Sequence, residues 1–222
     1  MTTLTTTLPG YQRLTRMVLA ASIVGGPLAF LVGGVFSPAV HQGGQATLDA
    51  DDAMGQTGNA VRLAAFFAAS LLLPLSAMGL ARLAYDRAPW LATIGGLIAV
   101  LGWLPFSALT ALDDLGVAML HPSAPSNAEL LDRFSTDLMM NSYLIIYVIG
   151  HLVAYILLGI ALHRAGAVPA WAAWAMALSS PLTVAAFVLP GRPIVLGTVA
   201  LGMLVLASLP AAASTLRRSP RQ

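Results

Sequence analysis

The chain has no cysteine, no lysine and very little charge. Its 222 residues include eleven arginines as the only strong bases, and charged residues make up 9% of the total. Without cysteine there are no disulfides, thiolate metal sites or cysteine nucleophiles. A soluble domain carries about 25% charged residues, whereas this chain is 58% hydrophobic. A 23.0 kDa globule with so little surface charge would not stay in water, so we expect lipid to be the solvent for much of the molecule.

Several familiar motifs are also missing. The sequence contains no HExxH, no Gly-x-Ser-x-Gly, no Walker loop and no Rossmann fingerprint, which are the signatures of common zinc, serine, nucleotide and dinucleotide sites. No cofactor is therefore implied by a motif, and enzyme status stays open. The pI of about 9.4 does not indicate nucleic acid as a partner, because the arginines lie at the ends of hydrophobic segments, where they determine topology.

Long uncharged runs predict an all-α, polytopic membrane helix bundle. A transmembrane helix needs about 20 apolar residues, and the intervals between charged residues supply six such runs. The predicted spans lie near 16–39, 60–83, 89–112, 137–163, 169–189 and 193–214. The first run is too long for a signal peptide and lacks a small-residue cleavage site, so we expect it to be retained. Residues 16–214 then form one six-helix transmembrane domain.

The arginines predict the orientation of this domain. Three of them, at positions 62, 133 and 192, would lie on one side of the membrane, and the other eight on the opposite side. Because basic residues concentrate on the cytoplasmic side, both the N-terminal tail, 1–15, and the basic C-terminal tail, 215–222, are expected to be cytoplasmic. The long loops 40–59 and 113–136 would be external. The arginine-only, alanine-rich composition favours a bacterial source, hence a multi-pass protein of the bacterial cytoplasmic (inner) membrane.

The acidic residues have the opposite distribution, since all except Asp86 fall in the predicted outer segments. Either they solvate the outer loops, or they form an acidic mouth that attracts a cation or basic ligand. Within the second loop, Ser126 and Glu129 have the spacing of a capping box. This predicts a short amphipathic helix on the outer surface, with an extension of the fourth span as the alternative.

The fourth span carries the candidate ligand-binding residues. Asn141, Tyr147, His151 and Tyr155 fall, together with Asp137, within about 120° of a helical wheel. His151 is the only ionisable side chain, tyrosines aside, that we place deep in a hydrophobic segment, and such a residue is a functional hypothesis by default. The alternative is a structural histidine bonded across the bundle. Haem bound by two histidines is not expected, because the remaining histidines, His41, His121 and His163, lie at or beyond the membrane boundaries.

Carboxylates at the outer ends of spans provide a second candidate site. Asp113, Asp114 and Asp137, with His151, are the candidate catalytic residues of an intramembrane enzyme. Asp113 and Asp114 with His121 are weak candidates for a divalent metal site. The alternative interpretations are a solvated helix C-terminus for the aspartate pair and ordinary N-terminal helix chemistry for Asp137.

The layout resembles a widespread group of uncharacterised six-helix bacterial membrane proteins. The resemblance rests on six spans in about 220 residues, a long loop after the third span, and the run Leu157–Arg164 followed by Val168–Trp171. It implies the six-helix architecture. Because that group is a domain family of unknown function, it implies no activity and transfers no site residues.

Three functional hypotheses follow. The first is binding or sensing of a hydrophobic small molecule or lipid, or service as a membrane partner subunit of another protein. The second is an intramembrane enzyme that acts on a lipid or isoprenoid. The third is a transporter or channel, which is less favoured because no acidic residue is predicted at mid-membrane. The lipid bilayer is the expected partner in each case, and homo-oligomerisation stays open.

Overall fold

The computed structural model describes residues 9–37, 43–120, 125–189 and 194–217, and all regular structure in these ranges is helical. The helices are α1 (Gly10–Val35), α2 (Gly44–Ala84), α3 (Pro89–Trp103), α4 (Phe106–Ala118), α5 (Pro125–Ser135), α6 (Leu138–Ala165), α7 (Ala170–Val188) and α8 (Ile194–Arg217). The all-α prediction is confirmed.

Five helical stretches among the described residues are long and apolar enough to cross a membrane. They are Gly10–Val35, Gly44–Ala84, Pro89–Ala118, Leu138–Ala165 and Val195–Arg217, and Ala170–Ala186 is a shorter apolar helix. This is the architecture of a multi-pass membrane protein. The count of six crossings and the sides of the two termini remain predictions.

The long helices pack as a closed ring. Going round it, α1 contacts α2, α2 contacts α3, and the order continues through α6, α7 and α8 back to α1. Helix α2 also packs across the ring against α6 and α8, so the centre is filled. The most deeply buried apolar side chains come from these helices, for example Ile23, Leu73, Leu158, Leu162 and Met176.

Helices α3 and α6 approach each other through a pair of glycines. A Cβ added to Gly102 would lie 2.7 Å from the carbonyl carbon of Gly150, so neither position has room for a side chain. Helices in lipid associate largely through such small residues, since burial gives no hydrophobic gain there. This close approach sets Trp103, the next residue of α3, against His151, the next residue of α6.

Local sequence explains where the central helices begin and end. Helix α3 stops at Trp103, and after Leu104 the chain continues as α4 with Pro105 at its N-cap; proline has no N–H to continue the hydrogen-bond ladder. The side chain of Asp137 accepts a hydrogen bond from Met139 N at 3.1 Å and so caps α6, as the interpretation of N-terminal helix chemistry predicts. Helix α6 ends at Gly166, whose φ of 57° favours glycine.

The segments predicted as long outer connections, 40–59 and 113–136, are largely helical where the structure describes them, and their position outside the membrane stays a prediction. Residues 44–54 form the first part of α2, which we call the strap, and residues 113–118 complete α4. The strap is set off from the rest of α2 by Gly55, whose φ of 71° and ψ of 170° are not helical. The strap carries three aspartates, and for this reason the sequence did not indicate a helix there.

The predicted short helix in the second loop is present as α5. It buries Leu131 and leaves Leu130 and Phe134 exposed. Its position on a membrane surface remains a prediction.

Candidate functional site

The candidate site is a cluster of rings around His151 and Trp103. Tyr147, His151 and Tyr155 lie one helical turn apart on α6, and the sequence analysis placed them together. The rings of Tyr147 and His151 stack with centroids 4.5 Å apart. The Trp103 ring lies 5.0 Å from His151 and 6.3 Å from Tyr155. Trp103 was not among the predicted site residues, and only the close packing of α3 against α6 brings it there.

His151 is buried, with 7% of its surface exposed, and its ring is oriented by its own helix. Its Nδ1 lies 2.5 Å from the carbonyl oxygen of Tyr147. A carbonyl oxygen only accepts, so Nδ1 carries the hydrogen and donates it. In a neutral imidazole the other nitrogen, Nε2, is then an acceptor.

A small cavity of about 20 Å³ lies beside His151. It has room for a single water-sized group. Helices α1, α3, α6, α7 and α8 all contribute to it, so it lies within the ring rather than on its outer surface. Its lining residues are Phe30, Trp103, His151, Leu152, Tyr155, Ser179, Ser180, Thr183, Ala200, Leu201 and Leu204.

Three residues that line the cavity each have a buried polar atom with no hydrogen-bond partner among the described residues. The atoms are Trp103 Nε1, Tyr155 Oη and Ser180 Oγ. The Trp103 indole interacts with the Tyr155 hydroxyl, but the two atoms do not meet hydrogen-bond geometry. A buried polar group without a partner costs about 1–3 kcal/mol.

The neighbouring hydroxyls of α7 behave differently. Ser179 Oγ donates to Met176 O at 2.7 Å, and Thr183 Oγ1 donates to Ser179 O at 2.8 Å. Hydroxyls in an apolar helix usually donate in this way to a carbonyl oxygen one turn earlier in the same helix. Ser180 makes no such bond, although it lies in the same helix.

On α1, α7 and α8 the cavity lies toward one end of the bundle, whereas on α6 it lies near the middle of the helix. Phe30 is close to the end of α1 at Val35, Thr183 is close to the end of α7, and Ala200 is close to the start of α8. The side chains of Phe30, Thr183 and Leu201 are half-buried, as is that of Leu152. These four residues form the rim of the cavity, and the arginine distribution predicts that this end faces outward.

A second buried polar cluster was not found from the sequence. Arg62 Nη1 lies 2.7 Å from Asp51 Oδ1, with the two side chains 3% and 0% exposed. Asn59 Nδ2 donates to the Asp51 carbonyl oxygen at 2.7 Å. The contact between Arg62 and Asp51 is an ion pair outside hydrogen-bond angles, and Asp51 Oδ2 and Arg62 Nε have no partner among the described residues.

The sequence analysis had treated Arg62 as a topology determinant and Asp51 as an outer-loop residue, either solvated or part of an acidic mouth. The two are eleven residues apart, which is about 16 Å along a straight helix. The break at Gly55 allows them to meet. A glycine between opposite charges in a helical stretch was the available signal.

The carboxylate candidates lie at or near the ends of helices, and their part in catalysis stays a prediction. Asp137 caps α6, Asp114 is exposed, and Asp113 is half-buried beside a second cavity of about 30 Å³ at the start of the strap. Among the described ranges, no three His, Asp or Glu side chains are placed to hold a metal ion. His121 lies outside the described residues. Asn141, the remaining ligand candidate, is exposed at the start of α6 and is not part of the ring cluster.

Comparison with protein-family models, curated proteins and solved structures found no match for this chain. The resemblance to six-helix bacterial membrane proteins therefore remains a prediction, and the function has to be argued from the geometry.

Proposed function

We propose that this protein binds an amphiphilic molecule, a lipid or a hydrophobic compound with one polar end, whose polar group enters the cavity beside His151. The observation that carries the proposal is that three residues lining a cavity inside an otherwise apolar bundle each have a polar atom without a partner. Ordinary membrane helices satisfy their hydroxyls internally, as Ser179 does. Polar atoms left without partners at a cavity are what a ligand's polar group would complete.

The size of the cavity restricts how such a ligand binds. Pockets that enclose a small molecule measure about 300–1,000 Å³, whereas this one measures about 20 Å³. Only the polar end fits. The apolar body would pass between the half-buried side chains of the rim and remain in the hydrocarbon of the bilayer, whose apolar character it shares.

The proposal includes the topology in which the site works. We propose six crossings, with both termini in the cytoplasm, in the plasma membrane of a bacterium. Helix α7 has 19 residues, about 28 Å at about 1.5 Å per residue, which is close to the hydrocarbon thickness of about 30 Å. The cavity would then open in the outer half of the membrane.

The topology can be tested by labelling, since the natural chain has no cysteine. Thr136→Cys, in the exposed turn before α6, should react with a membrane-impermeant maleimide in intact cells. Ala170→Cys, exposed at the start of α7, should react only after the cells are opened. The reverse pattern would invert the orientation, and labelling of both in intact cells would contradict an odd number of crossings between them.

The binding proposal is tested by native mass spectrometry of protein transferred directly from its membrane into lipid nanodiscs. We expect a co-purifying amphiphile on the wild-type protein. Ser180→Val fills the cavity and should reduce its retention at least tenfold. Ser76→Val is the matched control, because Ser76 is also buried and also has an unpartnered Oγ, but it does not line the cavity.

Two results would contradict the proposal. The first is wild-type protein that retains no amphiphile and takes none up from a total lipid extract. The second is equal loss of retention in Ser76→Val and Ser180→Val, which would assign the effect to packing in general and not to the cavity.

A further inference from the structure

The polar atoms at the cavity have a definite pattern of donors and acceptors, and this pattern restricts the chemistry of the ligand. The Trp103 indole N–H can only donate. The hydroxyls of Tyr155 and Ser180 can donate or accept. His151 is buried and no carboxylate lines the cavity, which favours the neutral ring. In the neutral ring Nε2 can only accept, because Nδ1 donates to the Tyr147 carbonyl oxygen.

The cavity also lacks charge. None of its eleven lining residues is Arg, Lys, Asp or Glu, and His151 is the neutral acceptor just described. A carboxylate or phosphate in this space would be buried without a counter-charge, at a cost of several kcal/mol or more. An ammonium group would place its own N–H bonds against the Trp103 donor. The entering group is therefore uncharged.

One uncharged group can pair with both the donor Trp103 Nε1 and the acceptor His151 Nε2. A hydroxyl accepts from Trp103 Nε1 and donates to His151 Nε2, and its remaining lone pair is available to Tyr155 or Ser180. A ketone or an ether can accept from Trp103 but has no hydrogen for Nε2. The volume of about 20 Å³ suits a group the size of a water molecule.

We infer that the ligand is a neutral amphiphilic alcohol, held with its hydroxyl between Trp103 and His151. This inference rests on the proposed function, which concerns binding of an amphiphile by the same cavity. It adds the chemical class of the polar group. In it, His151 accepts the hydroxyl hydrogen, which an ether or a ketone does not have.

The test uses four probes with the same saturated C16 tail: the primary alcohol, its methyl ether, the corresponding methyl ketone and the fatty acid. Each is added to the wild-type protein emptied of endogenous ligand in nanodiscs, and the bound fraction is measured by native mass spectrometry. The alcohol should bind at least tenfold more tightly than each of the other three, the size expected when a buried polar group is left unpaired.

His151→Phe distinguishes a histidine that binds the ligand from one that is only structural. The variant keeps an aromatic ring of similar size and removes Nε2. The ratio of alcohol to ether affinity should fall to about one, while the affinity for the ether is unchanged. Tyr143→Phe, on the same helix but outside the cavity, should keep the wild-type ratio.

The outcomes separate the two proposals. If the ether or ketone binds as well as the alcohol, the assignment of an alcohol is wrong and amphiphile binding stands. If the acid binds best, the cavity is not selective for neutral groups, and the assignment is again wrong. If none of the four binds and the cavity holds a water only, both proposals are wrong.

Discussion

The Asp51–Arg62 pair and the His151 cavity both place polar groups inside an apolar chain. They differ in what offsets the free-energy cost of removing these groups from water. Asp51 and Arg62 carry opposite charges and lie 2.7 Å apart, with almost no exposed surface. The groups at the cavity are neutral, three of them have no partner among the described residues, and a space lies between them. Buried polarity alone does not indicate a ligand site. Atoms without a partner occur at the ion pair as well, so it is the cavity that distinguishes the binding candidate from the structural pair.

The ion pair has a structural task. It joins the strap to the remainder of α2 across the break at Gly55. The strap also contributes Leu48 to a small hydrophobic cluster with Leu112, Leu131 and Met140, and Asp132 of α5 accepts a hydrogen bond from Gly44 N at 2.6 Å. The strap and α5 thus cover one end of the bundle, and the ion pair holds the strap against the rest of α2.

The largest effect is expected from removing one member of the pair. Asp51→Asn leaves the Arg62 guanidinium buried without a counter-charge, which costs about 3–5 kcal/mol. The measurement is the free energy of unfolding in mixed detergent micelles. The control is Asp49→Asn, which lies on the exposed side of the strap, where Asp49 accepts from Gln45, and should change stability by about 0.5 kcal/mol or less.

Replacing both partners sharpens the same point. The double variant Asp51→Leu, Arg62→Met removes both charges, so it should recover most of the stability lost by Asp51→Asn. If Asp51→Asn is no less stable than Asp49→Asn, water reaches the pair. The pair would then not be a buried structural contact that can be compared with the cavity.

The next effect concerns the contact that brings Trp103 to His151. Gly102→Ala pushes a methyl group into the backbone of α6, and such overpacking costs about 1–3 kcal/mol. Gly202→Ala is the matched control, because a Cβ there meets nothing within 4 Å, and alanine in place of a helical glycine is neutral or stabilising by up to about 1 kcal/mol. Equal stability of the two variants would contradict the close approach of α3 and α6.

The sequence predicted one half of this comparison and missed the other. Periodicity on the fourth span identified Tyr147, His151 and Tyr155, because residues one turn apart on a single helix share a face whatever the tertiary fold. Trp103 and Ser180 come from α3 and α7. Their positions depend on how helices pack, and the many small residues of this chain allow several packings.

The ion pair was missed for a related reason. Counting charges assigns every acidic stretch to solvent, and the three aspartates of the strap appeared to be a loop. Two of them are exposed, while Asp51 is buried, and only the break in the helix at Gly55 makes its pairing with Arg62 feasible. The helical class and the long spans were predictable because they depend on composition and length alone.

The smallest effect on stability, with the opposite sign, is expected at the cavity. Tyr155→Phe removes a hydroxyl that has no partner among the described residues, so the ligand-free variant should equal the wild type or be up to about 1 kcal/mol more stable. With the C16 alcohol present at about 100 times its dissociation constant, the wild type should gain about 2.7 kcal/mol. The variant should gain less at the same concentration, because the ligand has lost one of its partners. Unfolding curves with and without the alcohol measure both quantities. A ligand-free variant destabilised as strongly as Asp51→Asn would show that the Tyr155 hydroxyl is already satisfied within the protein, and the cavity would then belong to the same structural class as the ion pair.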